Sequence, residues 1–180
     1  MCFLGAILFL ASCKKEVAPK PFAQLRLNYP EATYKNVKNN FNYSFKASTI
    51  SHSNWYRKDG LQISYPTLKA KLILRYLPLS NNINTVLLKA EQMVNNHKKK
   101  AMNIVGKTYE NEDARVYGKL YEFVGNTAVQ FQFYLTDSTK NFVNGTLYFD
   151  VKPNYDSLRP TIAYLKKDII HLMETLNWKK

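Results

Sequence analysis

The chain has 180 residues, 46% of them hydrophobic, which is enough for one domain with a sizeable core. The formal net charge is +13, from 26 Lys and Arg against 13 Asp and Glu, so phosphates, anionic lipids and acidic proteins are the partners that charge favours. The two cysteines, Cys2 and Cys13, lie near the start, which excludes disulfides and cysteine-ligated zinc from the rest of the chain.

The first residues, MCFLGAILFLASCKKE, predict export and lipid attachment. Their apolar run, Phe3–Ala11, is shorter than the roughly 20 residues that span a bilayer and suits a signal peptide. At the end of this run, Leu10-Ala11-Ser12-Cys13 has the residue order of the lipobox of bacterial lipoproteins. Small side chains lie beside the signal-peptidase cleavage site, and the cysteine thiol accepts diacylglycerol. The predicted division is a cleaved signal peptide at 1–12, a lipidated tether at 13–21 and one globular domain at 22–180.

Lipidation at Cys13 predicts a membrane-anchored protein. One acyl chain binds a bilayer with only about 10⁴ M⁻¹, whereas several chains, at roughly 0.8 kcal/mol per CH₂, hold essentially permanently. Residues 14–21, KKEVAPKP, predict an extended tether. The alternative is a buried terminal element in which Cys13 is an ordinary core residue. No Lys or Arg precedes the apolar run, so we expect translation to start upstream of Met1.

Alternating apolar and polar residues predict strands in the first half of the domain. The predicted strands are Gln24–Tyr29, Asn40–Lys46, Leu61–Tyr65 and Lys69–Leu77. A turn region at Pro30–Asn39 separates the first two. The polar segment at 47–60 predicts a loop around Trp55.

At residues 82–98 the spacing of apolar residues changes to that of a helix. The apolar face of this predicted helix consists of Ile83, Val86, Leu87, Ala90, Met93, Val94 and His97. Such a stripe is typical of an amphipathic helix that packs on a sheet. The run Lys98-Lys99-Lys100 closes it, where positive charge favours the end of the helix dipole.

Four more strands with short polar turns between them predict an antiparallel meander. The strands are Met102–Tyr109, Arg115–Val124, Ala128–Thr136 and Phe142–Val151, and the turns are Glu110–Asp113, Gly125-Asn126 and Asp137–Asn141. In the second of these strands one face carries Val116 and Leu120. The opposite face still carries Tyr121 and Phe123. A strand with one wet face would alternate more cleanly, so both faces of the sheet are predicted to be at least partly covered.

A last helix is predicted from Ser157 to Asn177, with Asp156 or Ser157 as the N-cap and Pro160 in the first turn. Its apolar stripe is Leu158, Ile162, Leu165, Ile169, Leu172 and Leu176, with Trp178 placed to seal the end. The order of elements predicts an α+β fold: a single antiparallel β-sheet of about six to eight strands with a helix packed on each face. Folds of the Mog1/PsbP type offer an analogy that carries no function.

Two long runs resemble a known family. They are FYLTDSTKNFVNGTLYFDVKPNYDSLRP at 133–160 and KKDIIHLMETLNW at 166–178. Both are similar to the GldD family of gliding-motility lipoproteins, and so are the segment RVYGKLYEFVGNTAVQFQFYLTD, the PKP before the first strand and the lipobox cysteine. The resemblance covers nearly the whole mature chain.

The resemblance implies a cell-envelope lipoprotein that is required for gliding and associated with type IX secretion. Its partners would be other proteins of the gliding and secretion apparatus, and the membrane through the N-terminal acyl chains. By the same resemblance the domain faces the periplasm, with the outer membrane favoured. No enzymatic activity, cofactor or small-molecule substrate comes with the family.

Catalytic constellations are scarce. There is no Gly-x-Ser-x-Gly, Gly-x-Gly-x-x-Gly or P-loop motif. Ser138, His171 and Asp168 could supply a triad, but Asp168 and His171 are three apart on the last helix, where surface neighbours are the normal interpretation. The acidic residues at 110–113 are interpreted as a solvated turn rather than a glycosidase pair. The histidines are isolated in sequence, so no metal ligand is predicted.

Positive charge is the strongest bulk signal. Lys98, Lys99 and Lys100 are predicted to contact an anionic surface, together with Lys107 and the tether lysines Lys14, Lys15 and Lys20. The alternative function is therefore a basic lipoprotein that binds an envelope polyanion or glycan. Export argues against nucleic acid as a partner.

Two tripeptides match an acceptor pattern for O-glycosylation of exported proteins. They are Asp137-Ser138-Thr139 and Asp156-Ser157-Leu158, which make Ser138 and Ser157 candidate modification sites. The structural alternative is a turn and a helix N-cap, for which Asp-Ser is a natural choice.

Overall fold

A computed structural model describes residues 28–179 of the chain. The strands are β1 (Tyr34–Asn36), β2 (Tyr43–Ser44), β3 (Lys46–Ser48), β4 (His52–Tyr56), β5 (Gly60–Tyr65), β6 (Ala70–Pro78), β7 (Asn103–Asn111), β8 (Val116–Val124), β9 (Val129–Thr136), β10 (Asn141–Phe149) and β11 (Asn177–Trp178). The helices are α1 (Ile83–His97) and α2 (Tyr155–Thr175). The predicted signal peptide, Cys13, the tether and most of the predicted strand Gln24–Tyr29 lie outside the described residues.

Seven strands form one antiparallel sheet in the order β4-β5-β6-β10-β9-β8-β7. Strands β7 to β10 follow one another as a meander, as their short polar turns predict. Strand β10 then pairs with β6, which joins the meander to the earlier strands. Two short ladders join β1 to β3 and β2 to β11. The predicted α+β fold with one main antiparallel sheet and two helices is confirmed, whereas the likeness to Mog1/PsbP folds stays an analogy.

The two helices lie on opposite faces of the sheet. Consecutive residues of a strand point to opposite faces. In β10, Phe142 packs with Val86 and Ala90 of α1. The next residue, Val143, belongs to the main core with Leu165 of α2. The prediction that both faces are at least partly covered is confirmed.

Helix α2 forms one wall of the main core because its apolar residues recur every three or four positions. The buried members of the predicted stripe are Ile162, Leu165, Ile169, Leu172 and Leu176. They belong to one cluster with central-strand residues such as Leu74 and Phe133. Each fully buried side chain of this size contributes about 1.5–3 kcal/mol, so this layer is a major source of stability.

A glycine allows an aromatic ring to lie across the middle of the sheet. Gly145 of β10 is paired opposite Phe133 of β9. A Cβ at position 145 would overlap three atoms of the Phe133 ring, which is completely buried. The ring therefore fills the space that a side chain on β10 would take.

The start of α2 differs from the prediction. The N-cap is Asn154, not Asp156 or Ser157, and its side-chain oxygen accepts a hydrogen bond from the backbone N–H of Ser157 at 3.3 Å. Because the helix begins at Tyr155, Pro160 lies in its second turn rather than its first.

The N-terminal strands are shorter and more numerous than predicted. The predicted strand Asn40–Lys46 is divided between β2 and β3, and the predicted turn at Pro30–Asn39 contains β1. The predicted loop at 47–60 contains β4, an edge strand whose residues are mostly exposed. An exposed edge strand needs no alternating apolar residues, so periodicity does not reveal it.

Candidate functional site

The basic run is an exposed corner of the domain. Lys98, Lys99 and Lys100 lie in the turn that follows α1, and all three are exposed. Burial, and after it the charge of Lys100, lowers the pKa of His97, so this histidine adds little positive charge at neutral pH. Lys107 does not join the corner, because it is paired opposite Leu120 and shares that residue's face, on which α2 lies.

Ser138 is exposed in the turn between β9 and β10. The Asp137 carboxylate organises this turn by accepting hydrogen bonds from the N–H groups of Thr139, Lys140 and Asn141 at 2.9, 2.8 and 2.8 Å. Burial raises the pKa of Asp137, but these hydrogen bonds outweigh it and the pKa is lowered overall. The segment thus forms the turn expected of Asp-Ser, with its serine open to solvent.

Ser157 is also exposed, in the first turn of α2. Its backbone N–H is held by the N-cap, while the residue itself faces solvent. The structure brings Ser138 and Ser157 to different turns, and modification at either one stays a prediction.

Asp168 corrects one interpretation from the sequence. It is only 3% exposed, so Asp168 and His171 are not surface neighbours. The Tyr34 hydroxyl donates a hydrogen bond to Asp168 Oδ1 at 3.1 Å, and the Tyr34 ring stacks on His171 with centroids 3.6 Å apart. Burial raises the pKa of Asp168, and the hydrogen bond from the Tyr34 hydroxyl opposes this rise.

This cluster ties α2 to β1 and β3. Ser138 takes no part, because it lies in the β9–β10 turn, where its backbone N–H donates a hydrogen bond to the Thr136 hydroxyl. Ser48, beside Asp168, is almost fully buried, whereas Tyr34 and His171 are half-buried. In the range 28–179, Asp168 Oδ2, His171 Nε2 and Ser48 Oγ are buried without hydrogen-bond partners. No group of three or more metal-ligating side chains occurs within that same range.

At the β7 edge of the sheet, with which no strand of residues 28–179 pairs, there is an apolar cavity of about 220 Å³ on the α2 face. Val105 of β7 lines it and is 48% exposed. Ile170 and Met173 of α2 form its apolar wall, and the Lys166–Glu122 ion pair, at 2.6 Å, lies beside them. An unpaired strand next to such a cavity can accept an extended segment and one of its apolar side chains.

A second cavity, of about 410 Å³, lies on the α1 face above β5, β6 and β10. We call it the shelf and define it by Arg57, Lys71, Arg75, Asn144 and Thr146. No sequence motif predicts a small-molecule ligand or this site. The signal that was available is the polar pair Asn144 and Thr146, which alternates within a strand of the central sheet.

Comparison with known proteins supplies the family. A family model described as gliding motility lipoprotein GldD matches residues 14–178. The chain belongs to the GldD family. The resemblance seen in the sequence is thereby confirmed, while no curated protein matches the chain significantly.

The two runs that carried the resemblance to GldD occupy β9, β10 and α2. They supply the centre of the sheet and the helix that covers one face of it. As a member of a lipoprotein family, this GldD chain is a membrane-anchored envelope protein. Within residues 28–179, neither helix is long and apolar enough to span a bilayer.

Proposed function

We propose that this GldD chain is a lipid-tethered, non-catalytic domain that supports the assembly or stability of the gliding and type IX secretion apparatus through protein contacts. The observation that carries the proposal is the family match over residues 14–178. In this proposal Cys13 is the mature N-terminus and carries acyl chains such as palmitate. The domain faces the periplasm from the outer membrane.

The β7 edge is the surface that we assign to these contacts. Its partner would be an extended segment of an envelope protein that adds a strand to β7 and places an apolar side chain in the 220 Å³ cavity. Exposed Val105 beside this cavity supports the choice, because it adds an apolar contact point to an edge strand whose backbone groups can pair with another segment.

Crosslinking in living cells tests this surface. A photo-crosslinking amino acid at Val105 is expected to capture a protein of the apparatus. The matched control is Leu88, which is 60% exposed and lies on α1, on the opposite face. Equal capture from both positions, or none from Val105, would reject the β7 edge. Val105→Glu should likewise reduce spreading more than Leu88→Glu.

Deletion of the protein tests the function itself. A clean deletion is expected to abolish spreading and reduce secretion while envelope integrity is kept. Normal gliding in that strain would remove the proposal. Cys13→Ser separately tests the anchor, because the variant should leave the membrane fraction on washing with salt or carbonate.

The exposed Lys98–Lys100 corner favours one second candidate, a basic lipoprotein that binds an envelope polyanion. Such binding should collapse between low and moderate ionic strength, since screening shortens the Debye length to about 8 Å at 0.15 M salt. Protein contacts made by apolar burial should survive the same change. Salt-resistant association would therefore decide against the polyanion.

A further inference from the structure

Helix α1 covers only part of its face of the sheet. Its buried residues Val86, Ala90 and Val94 pack with residues of β8, β9 and β10. On β6 the same face carries Lys71 and Arg75, which line the shelf instead of packing under the helix. The shelf is thus a recess between α1 and the β4–β5 hairpin, with the sheet as its floor.

The floor of the shelf is polar although it lies near the middle of the sheet. Asn144 is 8% exposed and Thr146 is 5% exposed. The Thr146 hydroxyl lies 3.5 Å from Asn144 Oδ1, at the long limit for a hydrogen bond, so both groups keep capacity for another partner.

Beside this floor, Gln132 of β9 lies under α1, where its Nε2 donates a hydrogen bond to the Ala90 carbonyl at 3.3 Å. It is paired opposite Thr146, and its Oε1 is buried without a hydrogen-bond partner among residues 28–179. Burying polar groups at central strand positions costs free energy unless they are hydrogen-bonded. A bound molecule rich in hydroxyl groups would supply such bonds to Asn144 and Thr146.

The rim of the shelf carries a small excess of positive charge. Arg75 binds one carboxylate oxygen of Asp59, at 3.1 Å from Nε and 2.6 Å from Nη2, and Lys71 pairs with Asp150. Arg57 forms no ion pair within the described part of the chain. Three cations against two carboxylates leave about one net positive charge, which suits a single anionic group better than a polyanion.

Two tyrosines give the shelf its flat apolar surfaces. Tyr56 and Tyr148 both line it, and the Arg57 guanidinium lies 5.5 Å from the centre of the Tyr56 ring. Aromatic faces suit the C–H face of a sugar ring, while amides and hydroxyls suit its hydroxyl groups. The volume of about 410 Å³ lies in the lower part of the usual range for ligand sites, about 300–1,000 Å³, and suits one or two rings.

We propose that the shelf binds a saccharide that carries one carboxylate or phosphate group. Asn144 and Thr146 bind the ring hydroxyls, Arg57 binds the anionic group and Tyr56 packs against the ring. The proposal does not depend on the protein contact at β7, which lies at the opposite edge of the sheet and on the other face.

Ligand-observed NMR titration of the full lipidated chain in detergent micelles tests the shelf. The probes are glucuronate, glucose 6-phosphate, neutral glucose and inorganic phosphate. The test variant is Arg57→Gln. Its matched control is Lys58→Gln, because Lys58 is exposed in the same turn, loses the same charge and does not line the shelf. Both sites are exposed, so folding is expected to be kept.

The two anionic sugars are expected to bind with a Kd below about 10 mM, and glucose about tenfold more weakly, because one charge-assisted hydrogen bond is lost. Arg57→Gln should weaken the anionic sugars about tenfold and leave glucose unchanged, and Lys58→Gln should leave all probes within about twofold. Thr146→Val, which removes only the hydroxyl, should weaken every sugar.

Three results would overturn the proposal. The first is no binding of any sugar at about 10 mM. The second is an equal effect of Arg57→Gln and Lys58→Gln, which would mean general attraction to a basic protein. The third is inorganic phosphate that binds as tightly as glucose 6-phosphate, which would mean a bare anion site. None of these results bears on gliding in the deletion strain, so the two proposals fail separately.

Discussion

Replacing Asp137 by alanine is expected to destabilise the central hairpin of the sheet. The Asp137 carboxylate accepts backbone hydrogen bonds from Thr139, Lys140 and Asn141, and a fourth from the Asn141 side chain at 2.7 Å. The turn also holds Ser138 at a positive φ of 65°. Without the carboxylate, four donors lose their acceptor in a turn that sets the register of β9 against β10.

The size of the effect follows from which donors can return to water. Thr139 and Lys140 are exposed, so their N–H groups are rehydrated at little net cost. Asn141 is buried, and each of its two donors costs about 1–3 kcal/mol when left without a partner. The expected loss is therefore about 2–6 kcal/mol, a large fraction of the 5–15 kcal/mol typical of a domain.

Urea unfolding measures this loss. With a slope of about 2 kcal/mol per M, the urea midpoint of Asp137→Ala should fall by about 1–3 M at an unchanged slope. Asp137→Asn is the control, because it keeps one oxygen for the backbone N–H groups. Its urea midpoint should lie between those of the parent and Asp137→Ala. A midpoint shift below about 0.3 M would refute the assignment of the turn's stability to this carboxylate.

The pH dependence of the same variant has a definite sign. The pKa of Asp137 is lowered in the folded protein, so its contribution is complete above the unfolded pKa of about 3.8 and is lost as the pH falls through the folded value. The stability difference between the parent and Asp137→Ala should therefore be constant near neutrality and shrink below about pH 4. A difference that grows in acid would contradict the geometry.

Three further predictions concern other buried features. Asp168→Asn should be at least as stable as the parent at pH 7 and should lose that advantage in acid. The pKa of Asp168 is raised in the folded protein, so the protonated form that favours folding is lost as the pH rises. Urea midpoints of both proteins from about pH 4 to 7 measure this difference. Gly145→Ala should cost at least about 1–3 kcal/mol in urea unfolding through its clash with Phe133, and Phe133→Leu should relieve part of that loss. Asn154→Ala should cost about 0.5–2 kcal/mol, seen as a lower melting temperature, because the Ser157 N–H loses its cap.

Most of the regular fold could be predicted from the sequence because its elements are long and strongly periodic. The meander β7 to β10 and the stripe of α2 each repeat their pattern over several residues, so a single polar substitution does not hide them. The short ladders of β1 and β2 give no comparable pattern. Strand β4 is exposed, and only its pairing with β5 reveals it.

The burial of Asp168 was also within reach of the sequence. On a helical projection it lies beside Leu165 and Leu172, within the apolar stripe rather than opposite it. The i, i+3 spacing of Asp168 and His171, taken alone, predicts surface neighbours, and that prediction is wrong. What the sequence could not supply is Tyr34, whose approach to Asp168 depends on contacts across 134 positions.

The shelf could not be predicted, because strands far apart in the chain build it. Arg75 and Asn144 become neighbours only through the pairing of β6 with β10. The residue pattern within each strand does not show which residue of β6 lies opposite Asn144. If the register of β10 slipped by one residue, Asn144 would face the apolar core under α2. The shelf therefore depends on the tertiary fold. The predicted lipid attachment at Cys13 does not, because a local motif is sufficient to predict it.

The two faces of the sheet differ in a way that favours a ligand at the shelf. Under α2 the central strands present Phe133, Val143 and Leu147, all completely buried and apolar. On the other face, the same two strands present Phe142 and Gln132 under α1, and the polar residues Asn144 and Thr146 where α1 leaves the sheet uncovered. Burying these polar groups lowers stability unless hydrogen bonds compensate, and such exceptions to core composition are concentrated at functional sites. A saccharide that hydrogen-bonds to Asn144 and Thr146 would explain both the polar floor of the shelf and the incomplete cover by α1.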